Sequence, residues 1–273
     1  MKIKQWIGGI AIAGLLTACV TNPLTGRRSV QLVSNAEINA MALQQYKQTL
    51  SKTSVVTGTA DANRVKTVGN RIRNAAAAYY RSIGREGDLA QYNWEFNLIR
   101  DNQKNAWCMP GGKVAFYTGI MPICRDENGV AVVMGHEVAH ALAGHANERV
   151  SQAALAQGLG QLGSQLLGGG AGNSSQWAQL FNGLYPLGAQ GVLLGYGRSQ
   201  ELEADQMGLY MMAMAGYDPR QAPAFWDRMQ AASGNAARPP EFLSTHPNPQ
   251  SRRADLEKNM ARAMEYYRAA GGR

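Results

Sequence analysis

Residues 132–145 read VVMGHEVAHALAGH and hold three of the four histidines of the 273-residue chain, His136, His140 and His145. The surrounding run lacks proline and is rich in Ala, Val and Leu, which predicts one long helix over about 128–156. On such a helix His136 and His140, four residues apart, leave the same face one turn apart. Two neutral imidazoles so placed can reach one zinc ion at about 2.0–2.1 Å. Glu137, beside His136, is placed to reach a water on that ion rather than the ion itself. At ~100° per residue His145 is turned about 140° from His140 and 180° from His136, so it reads as a helix-surface or helix-packing residue and not a ligand. Ala143 and Ala146 stand where a metzincin needs a glycine and a third ligand histidine, which excludes that class.

Two histidines are too few for a catalytic zinc, which takes three protein ligands and a water. The fold must therefore bring a second element against the first. SQELEAD, over 199–205, offers Glu201 and Asp205, again four residues apart on a predicted helix. One carboxylate can bind the ion, and the other can accept the outer N–H of a ligand histidine and fix its tautomer. The fourth histidine, His246, lies in the proline-bounded run STHPNP. Near zinc it has two roles open to it, donating to an oxyanion or binding the ion as a fourth ligand in a closed, latent site.

The start of the chain bears on compartment. Lys2 and Lys4 precede an apolar stretch, WIGGIAIAGLL, too short to span a bilayer comfortably, and LTAC ends it at Cys19. This resembles a bacterial lipoprotein signal over 1–18, with Cys19 as the lipidated residue of the mature chain and Val20 fitting outer-membrane sorting. The expected location is the outer membrane, facing the periplasm, with attachment through the lipid. The net charge of +8 comes from 27 basic and 19 acidic residues that are scattered, so no nucleic-acid partner is expected. Cys108 and Cys124 would form a disulfide in an oxidising periplasm or stay as two buried thiols.

The rest of the chain reads as mixed but mainly helical. Residues 19–33 form an extended, lipid-anchored arm with a turn at Asn22-Pro23, and 34–273 form one domain. Ser34 and Glu37 make a capping box for a helix to about Leu50. Val65, Val68 and Ile72 share one side of a helix over 61–82. YNWEFNLI (92–99) alternates as a strand, and NAWCM and KVAFYTG make a hairpin, followed by a short helix around 119–124. Residues 158–197 are rich in glycine and low in charge, which suits a lid or loosely packed helices. Helices follow over 199–216, about 221–232 and 249–269. The strand near 92–99, expected at a sheet edge, or the hairpin could bind a substrate chain by strand addition.

HEVAH, SQELEAD, AGYDP (215–219), NAWCMPGGKVAFYTG and STHP together resemble the zinc metallopeptidase family of the CAAX prenyl protease, HtpX, BepA and LoiP type. NPLTGRRSVQLVS resembles the arm of its lipoprotein members. The likeness covers nearly the whole mature chain. It implies an α+β, mainly α-helical, zincin-like metalloprotease domain with a small sheet or hairpin beside the HExxH helix. It also implies one zinc on His136, His140 and Glu201, with Glu137 as general acid/base and Asp205 at the family's aspartate. The latent arrangement of BepA-like members would use His246. The short lipoprotein members resemble this chain most in architecture, which points to unfolded or misassembled envelope polypeptides as substrates and to the outer-membrane assembly machinery as a partner. A zinc-stabilised, catalytically latent chaperone or binding module is the second expectation.

Overall fold

The computed structural model describes residues 19–156, 174–184, 196–232, 240–246 and 251–273. The predicted signal, the glycine-rich stretches flanking 174–184 and Pro247 fall outside these residues, as does most of the predicted lid.

The helices form largely where the side-chain period places them. Helix α1 (Asn35–Leu50) begins at a complete capping box, in which Ser34 and Glu37 each accept the other's backbone N–H. Helix α2 (Ala60–Ser82) is capped by Thr59 and buries Val65, Val68 and Ile72 as one stripe. The short α3 (Met121–Cys124) leads into α4 (Glu127–Leu142), whose N-cap Asp126 accepts from the Gly129 N–H at 3.0 Å. Every residue of α4 from Gly129 to Ala141 is buried, as expected of a helix at the centre of a domain. Helices α5 (His145–Ala156), α6 (Ser174–Leu184), α7 (Arg198–Met214), α8 (Gln221–Ala231), α9 (Glu241–Thr245) and α10 (Arg252–Ala269) follow among the described residues. Among the described residues no helix is long and apolar enough to cross a membrane.

The predicted long helix over 128–156 is two helices. Gly144, at φ +68°, ends α4 in the left-handed region, and α5 starts at the next residue on a new axis. A glycine within a helical run is a weak signal, because it costs only about 1 kcal/mol in a helix interior.

A four-stranded sheet lies against α4 in the order β3-β4-β6-β5, with β3 (Val55–Val56), β4 (Glu95–Ile99), β5 (Ala106–Met109) and β6 (Lys113–Tyr117). The β5–β6 hairpin is antiparallel, and β4 pairs with β6 in parallel. Two expectations are corrected here. The strand predicted over 92–99 begins only at Glu95, because the Tyr92 N–H still closes the preceding turn on the Leu89 carbonyl at 3.0 Å and the ladder with β6 starts at Glu95 opposite Lys113. That strand also lies inside the sheet, so β5 of the hairpin is the edge beside α4. The arm is not simply extended. It folds as a hairpin of β1 (Cys19–Thr21) and β2 (Arg28–Val30), with Cys19 opposite Val30.

Cys108 on β5 and Cys124 at the end of α3 are buried free thiols, which corrects the disulfide alternative. The Cys108 Sγ donates instead to the Met109 carbonyl at 3.5 Å. Burial pushes both thiols up, so both stay protonated near neutral pH.

Candidate metal centre

Helices α4 and α7 pack backbone to backbone where Gly135 meets Gly208. A Cβ on Gly135 would lie 2.6 Å from the Gly208 carbonyl oxygen, and a Cβ on Gly208 would lie 2.7 Å from the His136 nitrogen. Two glycines at the crossing bring the pair at 136 and 140 against the pair at 201 and 205. Helix α9 ends at His246 and delivers its imidazole to the same point.

His136, His140, Glu201 and His246 are all buried and offer donor atoms within 4.8 Å of one another. His136 Nε2 is 3.0 Å from His140 Nε2 and 3.1 Å from His246 Nδ1. Glu201 Oε1 lies 3.0 Å from His246 Nδ1 and 3.4 Å from His140 Nε2, and Oε2 lies 3.5 Å from His136 Nε2. Ligands of a tetrahedral ion bound at about 2.0 Å stand about 3.3 Å apart, so these spacings fit a metal. The chemistry agrees. The outer nitrogen of His136 faces a carboxylate, so its inner nitrogen presents a lone pair towards His140 and His246, an arrangement a cation relieves.

The outer nitrogens are held. His136 Nδ1 donates to Asp205 Oδ1 at 3.0 Å, and Arg252 Nε donates to Asp205 Oδ2 at 2.6 Å. Arg252 also donates from Nη2 to Glu201 Oε2 at 2.7 Å, and its guanidinium lies 3.8 Å from the centroid of Trp226. The outer nitrogen of His140, Nδ1, lies 2.8 Å from Nδ1 of His145. His145 is fully buried, and its Nε2 donates to Glu203 Oε2 at 2.9 Å. It stays out of the donor cluster, as expected, but the reason differs. The helix break at Gly144 turns it inward against His140 and makes the surface reading wrong. Tyr196 stacks on His140 with centroids 3.9 Å apart, and Phe242 stacks on His246 at 4.6 Å.

Glu137 sits at the side of the cluster. Its Oε2 accepts from the backbone N–H of Cys108 on β5 at 3.1 Å, and its Oε1 has no hydrogen-bond partner among the described residues. That oxygen is 3.3 Å from His246 Nε2, itself unpartnered. Burial raises the Glu137 carboxyl above its usual range, with His246 and His136 pulling the other way. Burial lowers the imidazole of His140 well below its usual value, which suits a neutral ligand. Burial would also lower His246, but the carboxylates of Glu137 and Glu201 outweigh it and raise that imidazole. Burial would raise Glu203, yet hydrogen bonds from His145, Thr25 and Arg27 hold it down to about 2.

A cavity of about 320 Å³ opens beside His140, bounded by Cys108, Pro110, Tyr196, Asn39 and the arm. It meets β5 at Cys108 and reaches Pro110 just past the end of that strand.

The structure brings the four expected donors together, with Glu137 and Asp205 beside them. Arg252, Glu203, Arg27 and the contact of His145 with His140 carry no expectation from the sequence. The one available signal for His145 was the glycine before it. Arg252 gave none beyond its charge.

Two histidines on one helix, a glutamate between them and a carboxylate from a crossing helix define a metallopeptidase centre. The chain matches the model of Peptidase family M48 over residues 62–260. It is 31% identical to the mitochondrial metalloendopeptidase OMA1 of Schizosaccharomyces pombe over 272 residues, 94% of this chain and 72% of that protein. It is 32% identical over 174 residues to the beta-barrel assembly-enhancing protease of Escherichia coli, 63% of this chain and 35% of that protein. The human metalloendopeptidase OMA1 is 26% identical over 179 residues, 65% of this chain and 34% of that protein. This chain belongs to peptidase family M48, whose members are metallopeptidases.

Proposed function

We propose that this protein is a zinc-dependent endopeptidase of the bacterial envelope, anchored through a lipid on Cys19 in the outer membrane and facing the periplasm. It hydrolyses peptide bonds of unfolded or misassembled envelope proteins. The observation that carries the activity is Glu137, buried and with one free oxygen, beside three zinc-type donors spaced 3.0–3.5 Å apart. The lipid anchor and the division into signal (1–18), arm (19–33) and peptidase domain (34–273) rest on the LTAC motif.

His136, His140 and Glu201 would hold the zinc, which when bound would supply an activated water and a Lewis acid for the scissile carbonyl. Glu137 accepts the proton of the attacking water on its free Oε1 and passes it to the leaving amine. Asp205 keeps the His136 ring in the tautomer that presents Nε2. The edge of β5, with the cavity beside it, takes the substrate backbone by strand addition, which favours unfolded chains. For this, the Cys108 N–H exchanges Glu137 for the substrate.

His246 is the switch. With Nδ1 among the donors it completes a closed set of four, and its Nε2 faces the base Glu137. Turned away from the other three donors, His246 would leave His136, His140 and Glu201 to hold the zinc, and its imidazole would be free to donate to the substrate oxyanion. The closed set favours a second reading, a zinc-stabilised, latent module that binds outer-membrane proteins. The name of the E. coli relative, an assembly-enhancing protease, suits an outer-membrane assembly partner.

The test is zinc content and cleavage of an unfolded protein by wild type and Glu137→Gln. Retained zinc with turnover lost supports the peptidase. Equal cleavage by both removes Glu137 as the base, and no cleavage by wild type or by His246→Ala leaves the latent module.

A further inference from the structure

The two ligand histidines are braced differently. His136 rests on one carboxylate, Asp205, held by Arg252 of α10. His140 rests on a longer path with the same logic. If Nε2 of His140 presents its lone pair to the ion, Nδ1 carries the proton and donates to Nδ1 of His145 at 2.8 Å. His145 Nδ1 must then be the acceptor, so its proton lies on Nε2, which donates to Glu203 Oε2 at 2.9 Å. Each tautomer follows from its neighbour, and the path ends on a carboxylate.

That carboxylate is fixed by the N-terminal arm. Arg27 Nε donates to Glu203 Oε2, and Thr25 Oγ1 donates to Glu203 Oε1 at 2.5 Å. The same guanidinium grips Glu148 of α5 with Nη1 at 2.9 Å and Nη2 at 2.6 Å. Arg27 thus clamps α7 to α5 across the Gly144 break, where His145 leaves α4. Glu203 points away from Glu201 and Asp205, although it shares their helix.

We propose that Arg27 is a positioning residue of the metal centre, and that the N-terminal arm, through Glu203 and His145, sets the orientation and tautomer of His140. The proposal rests on His140 being a zinc ligand. The arm is therefore part of the peptidase site, although Arg27 touches neither ion nor substrate.

Arg27 can be removed without detaching the arm. Leu32 N–H donates to Ser151 Oγ at 2.8 Å, Asn147 Nδ2 donates to the Val33 carbonyl at 2.6 Å, and Gln31 Nε2 donates to the Ala143 carbonyl at 3.2 Å. Lysine cannot replace Arg27, because one ammonium does not offer a fork to Glu148 and a third donor to Glu203 at once.

The experiment measures zinc release to a chelator, and the visible spectrum after cobalt substitution, for full-length wild type, Arg27→Ala, Glu203→Gln and the exposed arm control Arg28→Ala. Loss of a partner that touches a ligand histidine weakens metal binding by about 10–100-fold; Glu203 and Arg27 act on His140 through His145, so zinc release from Glu203→Gln and Arg27→Ala is expected to rise towards the lower end of that range, about 10-fold. The cobalt bands of both shift, and Arg28→Ala matches wild type. If Arg27→Ala releases zinc at the wild-type rate with an unchanged cobalt spectrum, the proposal is overturned, even if its melting temperature falls. Should Arg27→Ala fail to fold, the near-isosteric Glu203→Gln reads the same path and decides alone. A wild type that takes up no zinc overturns the metal assignment as well, so the two failures are distinguishable.

Discussion

Arg252 donates from Nε to Oδ2 of Asp205 at 2.6 Å, so a residue of the last helix holds the carboxylate on which His136 rests. Arg252 is 1% exposed and also donates to Glu201. Its removal takes the guanidinium from two buried carboxylates, Asp205 Oδ2 and Glu201 Oε2, and breaking such a buried pair costs about 3–5 kcal/mol. Arg252→Ala is expected to lower stability by that order in urea unfolding and to weaken zinc binding. Wild-type stability in the variant would contradict the assignment.

The α4–α7 crossing admits no methyl group. Gly135→Ala or Gly208→Ala sets a Cβ against backbone at 2.6 or 2.7 Å, and backbone cannot give way as a flexible side chain does. Overpacking of this kind costs about 1–3 kcal/mol. The helices must also separate, which spreads the donors. Both variants are expected to unfold earlier and to bind zinc more weakly in chelator competition, and unchanged zinc affinity would show that the crossing does not set the site.

Glu203 makes stability depend on pH. Its folded pKa is depressed from the ordinary 4.5 to about 2 by the donors around it. A depressed carboxyl contributes stability that is fully present above its unfolded value and lost as pH falls through the folded one. Unfolding free energy should therefore drop between about pH 4.5 and about pH 2. In Glu203→Gln that part of the drop disappears, while the stability of the variant at neutral pH is lower. An unaltered acid limb in urea unfolding would refute this.

His246→Ala removes the fourth donor and the imidazole that stands 3.3 Å from Glu137 Oε1. Basal cleavage of an unfolded protein is expected to rise, with zinc retained by His136, His140 and Glu201. A fall of ~10²–10³-fold instead would mark His246 as an oxyanion donor.

Much of the site was legible because its parts lie close along the chain. The helical repeat alone puts His136 with His140 and Glu201 with Asp205, whatever the rest of the fold does. Ser34 with Glu37, and the stripe Val65, Val68 and Ile72, were legible for the same reason. Glu203 was not, since between two functional carboxylates it reads as a solvated residue, and only the docked arm shows that it is buried. Arg252 is one of 27 basic residues, and nothing local separates it from the others.

By itself, the sequence determined the donor types, their helical pairing and the family. Tertiary structure decided how the donors are braced and how many of them converge. The left-handed Gly144 turned His145 from the surface onto His140, the Gly135–Gly208 crossing set the separation of the two helices, and α9 carried His246 into the cluster. The physical reason is one of range. Backbone geometry fixes which side chains share a face over a turn or two, whereas burial, tautomer and charge partner depend on segments that meet only after packing, as Arg27 and Glu203 do from 176 residues apart.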